Sequence, residues 1–172
     1  MKKSLLIISL ILPLICQSQQ NYHKSILLSF YNDARLMMLG DQKNNKPLTY
    51  NAIYRLKLKN FRDSDGYIFI FPEYEHAFLN SYKYERFSAG IGYAFDNIIN
   101  RFELAPSITY GWINRLVTTR SLSINLETVY KFKNFNISLM AQYTERTDLQ
   151  YLYNDYLWRL SGFIGLEIKI LE

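Results

Sequence analysis

The 172-residue chain has almost no cysteine, since Cys16 is its only one. The residues before it, Pro13, Leu14 and Ile15, are not the small residues that usually precede a lipid-modified cysteine. We therefore expect Cys16 to be removed with the N-terminal segment, and a lipid anchor on Cys16 is the alternative. The rest of the chain then has no disulfide framework, so its stability must come from packing or from a lipid bilayer.

The chain also lacks long hydrophobic runs and charge of one sign. No window after residue 20 is an apolar stretch of about 20 residues, the length that a membrane-spanning helix needs. The formal net charge of +5 falls to +3 without Lys2 and Lys3, and acidic and basic residues are interleaved. This distribution argues against a nucleic-acid partner, which would require a basic stripe or patch.

The N-terminus has the layout of a secretory signal. Two lysines precede an apolar run over 5–15, which is followed by Cys16-Gln17-Ser18. The run is too short to anchor the chain in a membrane, and the small residues at its end predict cleavage before Gln19. We therefore predict a cleaved signal peptide at 1–18 and one exported domain at 19–172, because about 154 residues suffice for one domain and hardly for two.

Alternation of apolar and polar residues dominates the exported part. Between Tyr50 and Lys59, the even-numbered and odd-numbered residues form two sets, each of which we call a parity. One parity carries tyrosine, alanine and leucine, and the other is rich in arginine and lysine. A period of two is that of a β-strand, whose successive side chains point to opposite faces. Eight such segments are predicted, of roughly the length that a tilted strand needs to cross a bilayer. They are 22–30, 50–59, 67–76, 87–95, 102–112, 122–132, 135–144 and 158–170.

The fold class that these strands predict is all-β, as a single closed antiparallel up-and-down transmembrane β-barrel. The polar parity is rich in small residues, which suit the crowded interior of an eight-stranded barrel. Its charged members carry both signs and are expected to pair inside the lumen: Arg55, Lys57, Lys59, Glu103, Glu127, Glu167 and Lys169. The alternative is a soluble barrel in which this parity is the solvated outer surface.

Aromatic residues of the apolar parity fall into two groups if odd-numbered strands run outward. One group lies at the periplasmic ends of the strands: Phe95, Phe102, Tyr130, Phe132 and Phe135. The other lies at the outer ends: Tyr50, Tyr110, Trp112, Tyr143 and Trp158. Two rims are typical of membrane barrels, whose aromatic girdles lie at both water–lipid interfaces. The short connections 60–66, 96–100 and 133–134 are then periplasmic, and the connections 31–48, 77–81, 114–120 and 145–156 face outward.

Three local features are predicted as well. Pro72 and Pro106 lie inside predicted strands, where proline removes a ladder donor, so each is expected at a bulge or a strand end. The segment 63–66, Asp-Ser-Asp-Gly, predicts a tight turn with Gly66 at positive φ, because most ligands of a calcium loop are missing. Residues 35–39 are expected to form a packed loop, with a short amphipathic patch that touches lipid or a partner as the alternative.

This combination of features resembles the small outer-membrane β-barrel proteins of the OmpX and OmpA-barrel type. The resemblance covers 19–172 and lies in the pattern rather than in a diagnostic motif. It implies location in the outer membrane of a Gram-negative cell, contact with outer-membrane lipid and lipopolysaccharide, and insertion by the barrel-assembly machinery. Outer loops at the cell surface could then bind a surface partner. The short signal, which ends in glutamine-rich sequence, is similar to those of Bacteroidetes surface proteins.

Residues that could carry chemistry are few. His23 and His76 are the two histidines, and His76 with Glu73 and Glu75 is the one cluster that suggests an acid–base or metal site. In a strand, the two glutamates share one face and His76 lies on the other, so we interpret all three as rim residues near the second outer loop. Ser81 is near His76, but no signature of a lipid-modifying barrel is present. The sequence therefore predicts no catalytic, cofactor or metal site.

Three hypotheses for the function follow. The first is a structural or surface-interaction barrel with a side-chain-filled lumen and no enzymatic activity. The second is a lipid-modifying outer-membrane enzyme, for which His76 or His23 would be essential. The third is a soluble periplasmic barrel that binds an apolar ligand. Bulk solute transport ranks last, because eight strands enclose too little space for a water-filled channel.

Overall fold

The computed structural model describes residues 25–40, 45–62, 65–79 and 83–171. The predicted signal peptide and the start of the predicted strand 22–30 lie outside these ranges.

Within the described ranges, eight antiparallel strands form one closed barrel in sequence order. Each strand pairs with its neighbours in the chain, and the first pairs with the last, so the predicted up-and-down barrel is confirmed. Closure gives every strand a hydrogen-bonding neighbour on both sides, which an apolar environment requires. The strands are β1 (Ile26–Asp33), β2 (Asn51–Arg62), β3 (Gly66–Phe78), β4 (Lys83–Ile99), β5 (Phe102–Arg115), β6 (Val117–Lys131), β7 (Phe135–Glu145) and β8 (Trp158–Leu171).

The two ends of the barrel differ in their connections. At one end, which we call the loop end, two short helices lie between strands: α1 (Ala34–Met38) after β1 and α2 (Thr147–Tyr153) after β7. At the other end, which we call the turn end, β4 and β5 are joined by two residues and β6 and β7 by three. Asp33 caps α1 by accepting the backbone N–H of Leu36 at 2.9 Å.

Several strands are longer than the alternation predicts. The expected outer connection 114–120 reduces to Leu116, because Arg115 already pairs with Val117. The strands β1 and β3 likewise extend into the expected outer connections 31–48 and 77–81, and β4 begins at Lys83, before its predicted start at residue 87. At the turn end, β4 continues into the expected turn 96–100 through a register shift against β5. The polar side chains in these segments are compatible with strands, because the hydrogen bonds between strands are made by backbone N–H and C=O groups. Every residue except proline supplies both groups.

The two parities face as predicted, with apolar side chains outward and polar side chains inward. Leu126 is 48% exposed, whereas its neighbour Glu127 is fully buried. Other outward side chains include Phe30, Ile70, Phe87, Ile91, Ile108, Ile124, Leu139 and Ile164. Buried inward side chains include Ser29, Ser88, Thr109, Ser121, Ser123, Asn125, Ser138 and Gln142. The barrel thus has an apolar exterior and a polar interior, the reverse of a soluble barrel.

Aromatic rings occupy part of the lumen, which the sequence was expected to fill with small and charged residues. Phe69 and Phe71 point inward from β3 and stack with their ring centroids 5.6 Å apart. Glycines on β4 make room for them: a Cβ on Gly92 would lie 2.4 Å from Cζ of Phe69, and one on Gly90 2.4 Å from Cζ of Phe71. Small and charged side chains therefore do not fill the lumen alone, as was expected. The rings of β3 fit because they lie against the backbone of glycines on β4.

The prolines and Gly66 also differ from expectation. Pro72 pairs with Ala89 of β4, and Pro106 pairs with Leu126 of β6. Pro72 also faces β2, and Pro106 also faces β4. On these sides the ladder lacks two residue pairs at the proline, and the pairing then continues in the same register. Neither proline therefore marks a bulge or a strand end. Gly66 begins β3 and is not among the positive-φ residues. A Cβ there would lie 1.9 Å from the carbonyl oxygen of Ala94, so glycine is needed for close approach of β4.

The two predicted aromatic rims are present on the outer surface. At the turn end, Tyr130 contacts Phe102 and Phe132, with ring centroids 4.9 and 4.8 Å apart. At the loop end, Tyr143 stacks on Trp158 at 4.9 Å. The apolar exterior is therefore bounded by aromatic residues at both ends, as at the two interfaces of a bilayer.

Candidate functional site in the barrel lumen

Five charged residues, which we call the central cluster, cross the lumen: Arg55, Lys57, Glu73, Glu127 and Glu167. Arg55 Nη2 lies 2.5 Å from Glu73 Oε2, and its Nη1 lies 3.3 Å from Glu127 Oε2. Lys57 Nζ donates to Glu127 Oε2 at 2.8 Å and to Glu167 Oε2 at 2.7 Å. All five side chains are at most 2% exposed. These pairs join β2 to β3, β6 and β8, so they close the interior rather than line a channel.

Arg86 of β4 balances the charge of the central cluster. It donates to Glu73 Oε1 at 3.2 Å, to Thr109 Oγ1 at 3.0 Å and to Ser123 Oγ at 2.7 Å. With it, three cations meet three carboxylates in a buried space, where an unpaired charge would cost several kcal/mol. Arg86 was not among the predicted lumen residues, because the predicted strand began at residue 87. The interpretation of Glu73 as a rim residue is wrong, since Glu73 lies inside the cluster.

Aromatic rings pack against the cations of the central cluster. The guanidinium carbon of Arg55 lies 4.1 Å from the centroid of Phe71, and Lys57 Nζ lies 5.5 Å from that of Phe69. Tyr31 donates its hydroxyl to Glu127 Oε1 at 2.7 Å. The rings shield the ion pairs from water, which strengthens their attraction.

A second set of polar contacts lies toward the turn end. Glu103 accepts the Tyr67 hydroxyl at 2.5 Å and forms an ion pair with Lys131 Nζ at 2.9 Å, and Lys131 also pairs with Asp96. Lys59 packs its Nζ over the ring of Tyr67 at 4.1 Å. Of the residues expected to pair in the lumen, Lys169 is exposed, at the turn end of β8.

A small cavity, which we call the loop-end cavity, lies at the loop end of the lumen. Its volume is about 40 Å³ and it is partly open. Inward side chains of the strands form its wall, and Leu36 of α1 and Leu149 of α2, both buried, lie against it. Glu75 lines this cavity, which agrees with its expected position near the outer rim. The two helices thus turn an open barrel mouth into a small polar site.

Asp148 holds α2 onto this site. Its carboxylate accepts from Arg146 Nε and Nη2, both at 2.8 Å, and from Arg115 Nη1 at 3.3 Å. Burial alone would raise the pKa of Asp148, but the hydrogen bond and charge of Arg146, with the charge of Arg115, hold that pKa below its ordinary value. The Arg146 guanidinium also lies 4.5 Å from the ring centroid of Tyr84.

His76 lies on the outer surface near the loop end, on the opposite face of β3 from Glu73 and Glu75. Its Nδ1 is 3.3 Å from the Tyr74 hydroxyl and 3.7 Å from Glu85 Oε1, and Tyr74 donates to Glu85 Oε1 at 2.9 Å. Its carboxylate neighbour therefore comes from β4 rather than from its own strand. Glu85 was not predicted as this neighbour, because it precedes the predicted start of β4.

The remaining candidates are placed as follows. His23, Asp63, Ser64 and Ser81 lie outside the described residues. The described part of the chain contains no group of three or more His, Cys, Asp or Glu residues that could hold a metal ion. The helices found in that part are too short to cross a membrane.

Comparisons with known proteins agree with the fold. No family model matches the chain, and no curated protein matches its sequence. The structure is similar to the Yersinia pestis outer membrane protein Ail in a phospholipid nanodisc, with TM-score 0.55 and 14% identity over 87% of this chain and 100% of Ail. It is also similar to neisserial surface protein A, with TM-score 0.50 and 10% identity over 87% of this chain and 98% of that one. The outer membrane enzyme PagL matches with TM-score 0.48 and 12% identity over 85% of this chain and 99% of PagL. At these identities, Ail and neisserial surface protein A show a shared barrel fold, and the expected similarity to Bacteroidetes surface proteins is not supported.

Proposed function

We propose that this chain is an integral outer-membrane barrel with its loop end outside the cell, and that it acts as a structural or surface-interaction protein without enzymatic activity. The observation that carries the proposal is the combination of an apolar exterior with a lumen closed by the central cluster. An apolar exterior requires lipid around the barrel. A closed lumen leaves no path for solutes, so the surfaces that remain for function are the loops.

The orientation is supported by the loops. In membrane barrels the short turns are periplasmic and the longer connections extracellular, and this habit supports an extracellular position for α1 and α2. Exposed apolar residues lie in these connections, at Met38, Leu39, Leu48, Tyr151 and Tyr156. They offer contact to outer-membrane lipid, to lipopolysaccharide or to a surface partner. Delivery to the membrane follows from the predicted signal at 1–18 and from the barrel-assembly machinery.

Fractionation and conductance test this proposal together. We expect the protein in outer-membrane fractions, with a gel mobility that shifts on boiling, and no steady conductance after reconstitution in planar bilayers. Recovery of the protein in the soluble periplasmic extract would refute the membrane location. Stable channels of the unmodified protein would refute the closed lumen.

A second candidate function is a lipid-modifying enzyme, which the contacts of His76 favour. An imidazole within reach of a carboxylate and a phenol, on the lipid-facing rim, has the components of an acid–base pair. Mass spectrometry of lipid A from cells with the wild-type gene, with His76→Ala and without the gene tests it. A modification present only with the wild type would favour the enzyme, and identical lipid A in all three would favour the first proposal.

A further inference from the structure

Two buried amides in the loop-end cavity have hydrogen-bonding atoms without partners. Gln142 of β7 is 2% exposed and Asn51 of β2 is 7% exposed. Nε2 of Gln142 and Oδ1 of Asn51 have no hydrogen-bond partner, and both residues line the cavity. A buried polar atom left unsatisfied costs about 1–3 kcal/mol. One donor and one acceptor in the same cavity therefore indicate a bound group that satisfies both.

The charge around the cavity selects an anion. Four arginines line it: Arg35, Arg115, Arg146 and Arg159. The two lining carboxylates have protein donors of their own, since Asp33 accepts the N–H of Leu36 and Glu75 accepts the Tyr84 hydroxyl at 3.2 Å. Among the described residues that line the cavity, with Asp148 added, there are four arginines and three carboxylates. Guanidinium groups bind carboxylates through charge-assisted hydrogen bonds.

The size of the cavity limits what enters it. A volume of about 40 Å³ is sufficient for a carboxylate or for a few water molecules, and it is far below the several hundred Å³ of a pocket that encloses a whole ligand. Because the cavity is partly open, the rest of a larger ligand can remain outside the barrel.

We propose that the loop-end cavity binds the carboxylate end of a hydroxylated acid, of the kind found in acidic sugars. The carboxylate contacts the arginines, and the neighbouring hydroxyl accepts from Gln142 Nε2 and donates to Asn51 Oδ1. A hydroxyl is the small group that both donates and accepts. The acid is either a free sugar acid or part of a surface polysaccharide. This inference goes beyond the proposed function, since it needs the folded barrel but not a particular orientation in the membrane.

Titration calorimetry on the full barrel in detergent micelles tests the ligand class, with glucuronate, hyaluronan oligosaccharides and glucose as probes. We expect binding of glucuronate or of the oligosaccharides, and no binding of glucose, which lacks the carboxylate. Tighter binding of the oligosaccharides assigns the acid to a polysaccharide, and tighter binding of glucuronate assigns it to a free acid. Failure of both acids to bind, which would leave water as the occupant, or equal binding of glucose, overturns the proposal.

Two variants test the location of the site. Gln142→Leu removes the buried donor and Arg159→Gln removes one cation, and each is expected to weaken binding at least about tenfold, or about 1.4 kcal/mol. Ser138→Ala is the control, because Ser138 is a buried inward residue of the same strand that does not line the cavity. It should leave the dissociation constant unchanged. Heat-modifiable mobility identifies the variants that fold, and unchanged affinity in either folded site variant overturns the proposal.

Discussion

Replacing Glu127 by glutamine should lower the free energy of unfolding far more than the same change at the rim. Glu127 accepts from Tyr31, Arg55 and Lys57, and the last two are cations buried in the lumen. Loss of one partner in a buried ion pair costs about 3–5 kcal/mol, because the other charge stays buried. Arg55 retains Glu73 and Lys57 retains Glu167. We therefore expect a loss near the lower limit, about 3 kcal/mol.

The matched control is Glu145→Gln, on the outward parity at the loop end of β7, for which about 0.5 kcal/mol or less is expected. Urea titration of the barrel in lipid vesicles measures both, with the fluorescence of Trp112 and Trp158 as the signal. A double variant with Lys57→Met should lose less than the sum of the single losses, because both charges are removed together. Equal, small losses for the glutamines at 127 and 145 would refute a buried, mutually dependent cluster.

Three further predictions follow from the facing and the contacts of single residues. Gly165→Ala should cost about 1–3 kcal/mol, since its Cβ would lie 2.4 Å from the Tyr31 ring, whereas Gly162→Ala meets nothing within 4 Å and should be neutral in the same urea titration. A fluorophore on a cysteine at 126 should be quenched by acyl-chain labels and one at 127 should not, and Leu126→Arg should cost about 2–4 kcal/mol on insertion; quenching at 127 instead would reverse the facing. Because the pKa of Asp148 lies below its ordinary value, its support of α2 is present above about pH 4 and is lost as the pH falls through the lowered pKa. Hydrogen exchange of 147–153, corrected for intrinsic rates, should therefore accelerate in the wild type as the pH is lowered below about 4, but not in Asp148→Asn.

The strand number and the facing were readable from the sequence because a period of two is a local property. Leu126 and Glu127 differ by one position, and their opposite environments follow from the pleat alone. The segment 67–76 was less regular, since both of its parities carry apolar residues. Its inward rings fit only because Gly90 and Gly92 lie opposite them, and the pairing of β3 with β4 is not visible along the chain.

The pairing of charges was predicted in kind but not in detail. Both signs on one parity indicate ion pairs in a lumen, yet the partner of Lys57 depends on register and on barrel diameter. Arg86 and Glu85 were missed because the strand was begun at the first clean alternation, although the parity continues back to Lys83. The loop-end cavity could not be predicted, since it requires α1 and α2 to fold over the barrel mouth.

The central cluster also constrains how the barrel forms. Lys57 is 70 residues from Glu127 and 110 residues from Glu167 in the sequence. Glu127 lies on β6, across the barrel from β2, and Glu167 lies on β8, which becomes a near neighbour of β2 only when β1 pairs with β8. Neither contact therefore exists while the sheet is still an open, curved ribbon. Until β1 meets β8, the charges must remain hydrated, and water must leave the lumen in the step that joins these two strands. Contacts between residues so far apart in the sequence form late, because the chain must lose the conformational entropy of closing a long loop before the contact stabilises the fold. We therefore expect the joining of the first and last strands, and not the formation of any single hairpin, to limit the rate of folding.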